Sequence, residues 1–190
     1  GNDLKPDITG FNWLAGNTVL RLNFLTEGAP GDYRITIGPN ITDPSANPMD
    51  QDQDQTPGEP TDDQFTMGFS IPTPKVLSVR VLANQIVVTF NKDLDQPSLA
   101  GNVFVERSGG DQIFGDPIDG IGDDVLVADS TATLYDPTNF TLTFFLPFFL
   151  VDDLYRVRIE DAVTDVFGNP LDGEFDGQPP PVGIGNGNQF

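Results

Sequence analysis

The sequence predicts an all-β protein built from two related β-sandwich modules, and three observations carry that prediction. First, one stretch occurs twice: Asp32 to Gln55, DYRITIGPNITDPSANPMDQDQDQ, aligns without a gap on Leu154 to Gly177, LYRVRIEDAVTDVFGNPLDGEFDG. Tyr33 falls on Tyr155, Arg34 on Arg156, Ile37 on Ile159, Thr42-Asp43 on Thr164-Asp165, Asn47-Pro48 on Asn169-Pro170, Asp50 on Asp172 and Asp54 on Asp176. The register continues upstream, with Val19 to Leu22 on Thr141 to Phe144, so the repeated object holds at least two strands and an acidic loop. Second, short Val/Ile/Thr/Phe runs recur between clusters of Gly, Pro, Asn and Asp, in a chain with 20 Gly and 17 Pro. Third, no stretch keeps the apolar spacing of an amphipathic helix over about three turns.

The elements follow in order. Phe11 to Trp13 is a short strand, Gly16-Asn17 a turn signal, and Thr18 to Phe24 a strand with burial open to both faces. Tyr33, Ile35 and Ile37 share one face and Arg34 and Thr36 the other, the period of a half-buried strand. The acidic loop, Asp43 to Asp63, precedes a closing strand, Gln64 to Ile71. Ile71 to Lys75 reads as an extended, semi-rigid linker, because each Pro fixes φ and forbids helix. Val76 to Val81, a turn at Ala83 to Gln85, and Ile86 to Phe90 open the second module. Gly101 to Glu106 follows, then a Gly/Asp-rich loop, Ser108 to Asp124, with at most a short strand at Gln112 to Phe114. Val125 to Val127, Ala132 to Tyr135, Phe140 to Phe145 and Tyr155 to Ile159 bring the second module to about seven or eight strands, a sandwich count. Residues 1–74 are thus expected to be the C-terminal part of a first module with its acidic loop. Residues 75–190 are expected to form a second module that lacks its last strand, within a fragment of a longer protein.

Composition excludes several functions. The 37% hydrophobic content with 15 Phe suffices for a core. The balance of 29 acidic to 9 basic residues, a formal charge of −20, opposes nucleic acid and anionic lipid. Acids concentrated in loops call instead for divalent cations as counterweight. With no His and no Cys, zinc sites and Ser-His or Cys-His nucleophiles are excluded. The longest apolar run, Phe144 to Val151, is broken by Pro147, so membrane insertion is not expected.

A family resemblance adds to this reading. Val79-x-Val81, Asn84-Gln-Ile-Val-Val-Thr-Phe-Asn-Lys-Asp-Leu-Asp95, Asn102-Val-Phe, Tyr155-x-Val-x-Ile159 and Val163-x-Asp165-x-x-Gly168-Asn169-x-Leu171 together resemble the bacterial Ig-like domain of S-layer proteins, the SbsA-type Ig-like domain. The resemblance covers Lys75 to about Asp176, and Asp32 to Ser70 is similar to the tail of another copy. It implies tandem immunoglobulin-like β-sandwiches in large bacterial surface or secreted proteins. The insert at Asp50 to Asp63 and the loop at Gly109 to Asp124 depart from the pattern.

The residues that carry chemistry are carboxylates. Asp50, Asp52, Asp54, Glu59, Asp62 and Asp63 crowd one loop, and alternating acids in an irregular loop can converge on calcium, which takes about six to eight oxygens. The spacing is not that of an EF-hand: Gln55 stands where that loop needs Gly and Thr61 where it needs Glu. The matching loop offers Asp172, Glu174 and Asp176, with Asp165 and Asn169 before them. The alternative for each loop is a solvated acidic surface. Asp43 and Asp165 read first as turn residues accepting backbone N–H bonds, as do Asp93 and Asp95, with metal the secondary reading. Carboxylate pairs at Asp123-Asp124 and Asp152-Asp153 mark no cleft, so glycosidase chemistry is not expected. Trp13, Tyr33, Tyr135 and Tyr155 are the only aromatics suited to a sugar platform, and the tyrosines also suit core or corner positions. The crowded apolar run from Phe144 to Leu150 needs cover from within the chain or from a partner.

The expected function is therefore a non-enzymatic structural or adhesive segment of an exported bacterial surface protein, extracellular or at the cell surface. Calcium in the acidic loops near the module junction would make it rigid. Partners would be neighbouring modules or copies of the same protein, joined into a filament or array by strand exchange at unfinished sheet edges. The alternative is a carbohydrate-binding accessory module of a secreted enzyme, with a glycan or other surface ligand.

Overall fold

In the computed structural model, which describes residues 4–109, 113–114, 124–147, 150–173 and 188–189 (the last pair by backbone alone), the alternation of the sequence becomes an alternation of burial. Along β6 (Gln85–Phe90) the side chains of Ile86, Val88 and Phe90 are buried and those between them are half-buried. The same pattern holds in β7 (Val103–Arg107), β10 (Thr141–Phe145) and β11 (Tyr155–Ile159). The chain divides into two units, Gly1–Ile71 and Pro72–Phe190.

The second unit is an immunoglobulin-like sandwich. One four-stranded sheet runs β5 (Val76–Leu82), β6, β10, β9 (Thr133–Asp136); the other runs β12 (Asn188–Gln189), β11, β7, β8 (Val125–Asp129). Every pair is antiparallel, and this strand order with chain crossings between sheets is the Greek-key arrangement of that fold. Val88 and Phe90 of β6, Leu142 and Phe144 of β10, Val105 of β7 and Ile159 of β11 are nearly sealed and fill the space between the sheets. Leu146 is buried and Leu150 packs against the core, while Phe145 is exposed; Phe148 and Phe149 of the crowded run lie outside the described residues. Tyr155 begins β11 and its hydroxyl accepts a hydrogen bond from the Val151 backbone N–H at 3.1 Å, the corner contact expected of such a tyrosine.

Three findings refine the sequence reading. Ile113 and Phe114 are not in a strand, and Gln112 lies outside the described residues. The edge of β11 expected to lack a closing strand carries β12, with Asn188 opposite Ile159 and Gln189 opposite Arg158. The proline linker, expected to be extended and semi-rigid, is also held by hydrogen bonds. Asn91 donates to the Thr73 carbonyl at 2.9 Å and accepts from Lys75 N–H at 2.8 Å, and Asp172 N–H donates to the Pro74 carbonyl at 2.7 Å. Pro74 is fully buried, so the segment after Ile71 is strapped into the second unit.

The first unit consists of two hairpins. In one, β1 (Ile8–Leu14) pairs with β2 (Val19–Phe24) across a turn whose Ala15, Gly16 and Asn17 all have positive φ. In the other, β3 (Gly31–Ile37) pairs with β4 (Phe65–Ile71), and the acidic loop connects them. The register puts Tyr33 opposite Phe69, Ile35 opposite Met67 and Ile37 opposite Phe65, so one face of this hairpin is wholly apolar. Tyr33 stacks on Phe69 with centroids 5.3 Å apart, and its hydroxyl donates to the Ala29 carbonyl at 2.6 Å, repeating the corner of the second unit.

Candidate metal centre

The two loops of the repeat begin with the same frame. Asp43 Oδ1 accepts from the N–H groups of Ser45 and Asn47, and the Asn47 amide donates to Oδ2. Asp165 accepts in the same way from Phe167, Asn169 and the Asn169 amide. The bridges Thr42–Pro48 and Thr164–Pro170 close both frames. The side-chain and backbone N–H groups of Asn47 hold the Asp43 carboxyl below its ordinary pKa. For Asp165 burial raises the pKa, but hydrogen bonds from Asn169 and Lys92 outweigh it and the net shift is downward. Both residues therefore serve turns. Asp93 is also committed, accepting from the Tyr135 hydroxyl at 2.8 Å, and Asp95 N–H donates to the Thr164 carbonyl.

Beyond the frame, in which Ala46 already has positive φ, the first loop coils tightly, with positive φ at Gln53, Gln55 and Gly58. This coiling, not visible in the residue pattern, decides which acids meet. Oxygens of Asp50, Asp52 and Asp63 lie within 4.8 Å of one another, as do oxygens of Asp52, Asp54 and Glu59. That span matches oxygens on one shared calcium ion, whose bonds are about 2.3–2.6 Å long. Asp63 is fully buried and anchors the loop: Oδ1 accepts from Gln51 N–H at 2.6 Å and Oδ2 from Glu59 N–H at 2.9 Å. The Glu59 N–H bond, then those of Gln51 and its neighbours, lower its pKa against the opposing effect of burial. Asp50 Oδ1 is buried without a hydrogen-bond partner, while its Oδ2 accepts from Gln55 N–H at 3.3 Å. Desolvation, then the charges of Asp54, Asp62, Asp52 and Asp63, push the Glu59 pKa up. Between Arg34 and Lys75 the sequence holds no Lys or Arg to offset them. The donor set, all carboxylate with an orphaned buried oxygen, fits a hard divalent cation.

Asp62 is exposed and belongs to neither group. In the second loop Asp172 is exposed and accepts from the Thr73 hydroxyl at 3.2 Å, part of the strap on the linker. Glu174 and Asp176 lie outside the described residues, and no acidic triad forms in this loop among the described residues.

Of the paired acids, Asp153 and Asp124 have structural partners, and Asp123 lies outside the described residues. Asp153 accepts from the buried Ser108 hydroxyl at 2.7 Å and from Arg107 at 3.2 Å, and Asp124 pairs with Arg156 at 3.4 Å. Tyr33 and Tyr155 hold corners, and Tyr135 is buried with its hydroxyl accepting from Leu94 N–H at 2.8 Å; Trp13 alone of the four is exposed. No local residue pattern marks the ionic ladder of the second unit, in which Glu106 accepts from Arg156 at 2.7 Å and Arg158 at 3.0 Å. The two guanidinium groups lie over Phe114 and Phe104. Alternate positions of β11 carry these arginines, and their pairing with β7 needed the register to be seen.

No family model and no curated protein matches the sequence. Two solved structures are similar to it: crystal structures of the S-layer protein rSbsC(31-844) and of the N-terminal part of the bacterial S-layer protein SbsC. Each is 21% identical, with TM-scores of 0.39 and 0.38; the matches cover 62% of this chain but 13% and 23% of theirs. Among the described residues no helix is long and apolar enough to cross a membrane.

Proposed function

We propose that this chain is a non-enzymatic structural or adhesive segment of an exported bacterial surface protein, stiffened by calcium in its first acidic loop. Its partners would be neighbouring modules or copies of the same protein. The tandem β-modules and the residue-level resemblance to Ig-like domains of S-layer proteins support the surface role. The observation that carries the calcium reading is the buried Asp50 Oδ1, without a hydrogen-bond partner and grouped with Asp52 and Asp63. A cation there would take up the orphaned oxygen, screen Asp54 and Glu59, and stabilise the folded loop by mass action. Asp63 would bind while its backbone bonds hold it in place, since each carboxylate oxygen has two lone pairs.

Calorimetric titration of the chelator-stripped chain with calcium tests this, alongside a variant with Asp50, Asp52 and Asp54 changed to Asn. Saturable heat and a raised Tm that the variant loses are expected. A stripped chain that takes up no calcium at millimolar concentration refutes the metal centre and leaves the acids as a solvated surface.

A further inference from the structure

The first unit repeats only the second half of the sandwich fold. Trp13 opposite Leu20 in β1–β2 stands in the register of Tyr135 opposite Leu142 in β9–β10. Tyr33, Ile35 and Ile37 of β3 stand in that of Tyr155, Val157 and Ile159 of β11. In the second unit these positions are closed over by β5–β8: Tyr135 is 7% exposed, Val157 4%, and Leu142 and Ile159 0%. In the first unit Trp13, Phe65, Met67 and Phe69 are 43%, 45%, 46% and 44% exposed. Trp13 is open where its repeat mate Tyr135 is sealed, and Phe65, Met67 and Phe69 lie beside the β3 positions whose mates Val157 and Ile159 are sealed, which amounts to a core with one side uncovered.

The polar positions point the same way. Asp165 is 1% exposed because the β6–β7 connection crosses it: Lys92 Nζ binds Oδ2 at 2.9 Å, and Leu94 bridges to it. Asp43 makes the same turn yet is exposed, and among the described residues the first unit has no counterpart of the β6–β7 connection to cross it.

We infer that the open face of the first unit is an acceptor for a four-stranded antiparallel segment of the β5–β8 type. Such a segment is apolar on one face, carries a basic residue in its second connection to meet Asp43, and joins the chain at Asp7. The joint follows from the repeat register, because Asp7 stands where Asp129 ends β8 and leads through Ser130–Ala132 into β9. A second copy of this chain has no such segment to spare, since its one β5–β8 set already covers its own β9–β11. The inference rests on the tandem-module part of the proposed function and not on calcium.

The test duplicates Pro72–Ala128 ahead of Asp7, replacing residues 1–6, in the otherwise full chain and with chelator present. Trp13 is the sole tryptophan and reports on the first unit alone. Its emission is expected to move to shorter wavelength, with acrylamide quenching falling as its exposure drops from 43% toward the 7% of Tyr135. Asp43→Ala is expected to lower the Tm of the fused chain markedly and that of the parent chain little. A fusion that aggregates, or one in which Trp13 stays as quenchable as in the parent, overturns the inference. So does a parent chain whose Trp13 becomes protected with rising concentration as light scattering shows a dimer, which would assign the face to a second copy. Loss of calcium binding leaves all these readouts unchanged, so failure of the metal centre and failure of this inference are separable.

Discussion

Replacing Asp165 by Ala is expected to be far more costly than replacing its repeat mate Asp43. Asp165 accepts from the backbone N–H groups of Phe167 and Asn169, both at 2.9 Å, from the Asn169 amide at 2.9 Å and from Lys92 at 2.9 Å. Its side chain is sealed from solvent, while the Lys92 side chain is 19% exposed. Alanine removes every acceptor at once. A buried donor left unpaired costs about 1–3 kcal/mol, and breaking a buried ion pair from one side about 3–5 kcal/mol. The contributions overlap because water reaches Lys92 and the exposed turn at Phe167, so we expect about 3–5 kcal/mol in all. At roughly 4 °C per kcal/mol for a unit of this size, the transition of the second unit should fall by about 12–20 °C. Lys92→Met keeps the stem and leaves the backbone bonds to Asp165, so it should cost about 1–3 kcal/mol. The sign with pH is fixed by the lowered pKa of Asp165: its contribution is complete above the ordinary carboxylate range and disappears as pH falls through the folded value. Differential scanning calorimetry at neutral pH resolves these shifts, with Trp13 fluorescence reporting the first unit separately. Equal shifts for Asp165→Ala and Asp43→Ala would refute the argument that the β6–β7 cover, and not the turn alone, gives this aspartate its weight.

Three further outcomes follow from the same geometry. Phe144→Ala removes a fully buried ring between the two sheets and should cost about 3–5 kcal/mol in chemical denaturation, while Leu22→Ala at the matching half-buried position should cost clearly less. Gly38→Ala should destabilise the acidic loop, because φ is +104° and an added Cβ would meet the Asp63 carbonyl oxygen at 2.6 Å; slowed exchange of the Gln51 and Glu59 amides in the parent and its loss in the variant would show this. Without divalent cation, the raised pKa of Glu59 means that its contribution is present at acid pH and is lost as pH rises through the folded value; saturating calcium should flatten that slope, and Glu59→Gln should abolish it.

The gapless repeat makes much of the fold legible in the sequence. Asp43 and Asp165 could be read as turn aspartates because the Asp-to-Asn spacing recurs, and the hydrogen bonds agree in both copies. Tyr33 and Tyr155 were legible as corner residues for the same reason. What stayed hidden depends on neighbours distant in sequence. The strap on Pro72 to Pro74 uses Asn91, Lys92 and Asp172, and the ladder on Glu106 uses β11; no local pattern encodes either. Which acids converge was hidden too, because it turns on the φ of Gln53 and Gln55, residues with no special preference for that region.

The two kinds of acid in this chain differ in what their carboxylate oxygens meet. Asp43 and Asp165 direct both oxygens at N–H donors that their own turns supply, so a metal ion would compete with bonds already made. Asp50 retains one buried oxygen with no donor, and Asp52 and Asp54 each accept from a backbone N–H through Oδ1. In a stretch without any basic residue, such oxygens are costly unless a cation meets them, because burial weakens solvation without weakening their mutual repulsion. The turn aspartates should therefore govern stability whether or not calcium is present. Asp50→Asn should do the reverse, leaving the stripped chain as stable or more so and removing most of the gain from calcium. A variant set in which Asp50→Asn and Asp43→Ala respond to calcium alike would show that the oxygens, however differently placed, do not divide the work in this way.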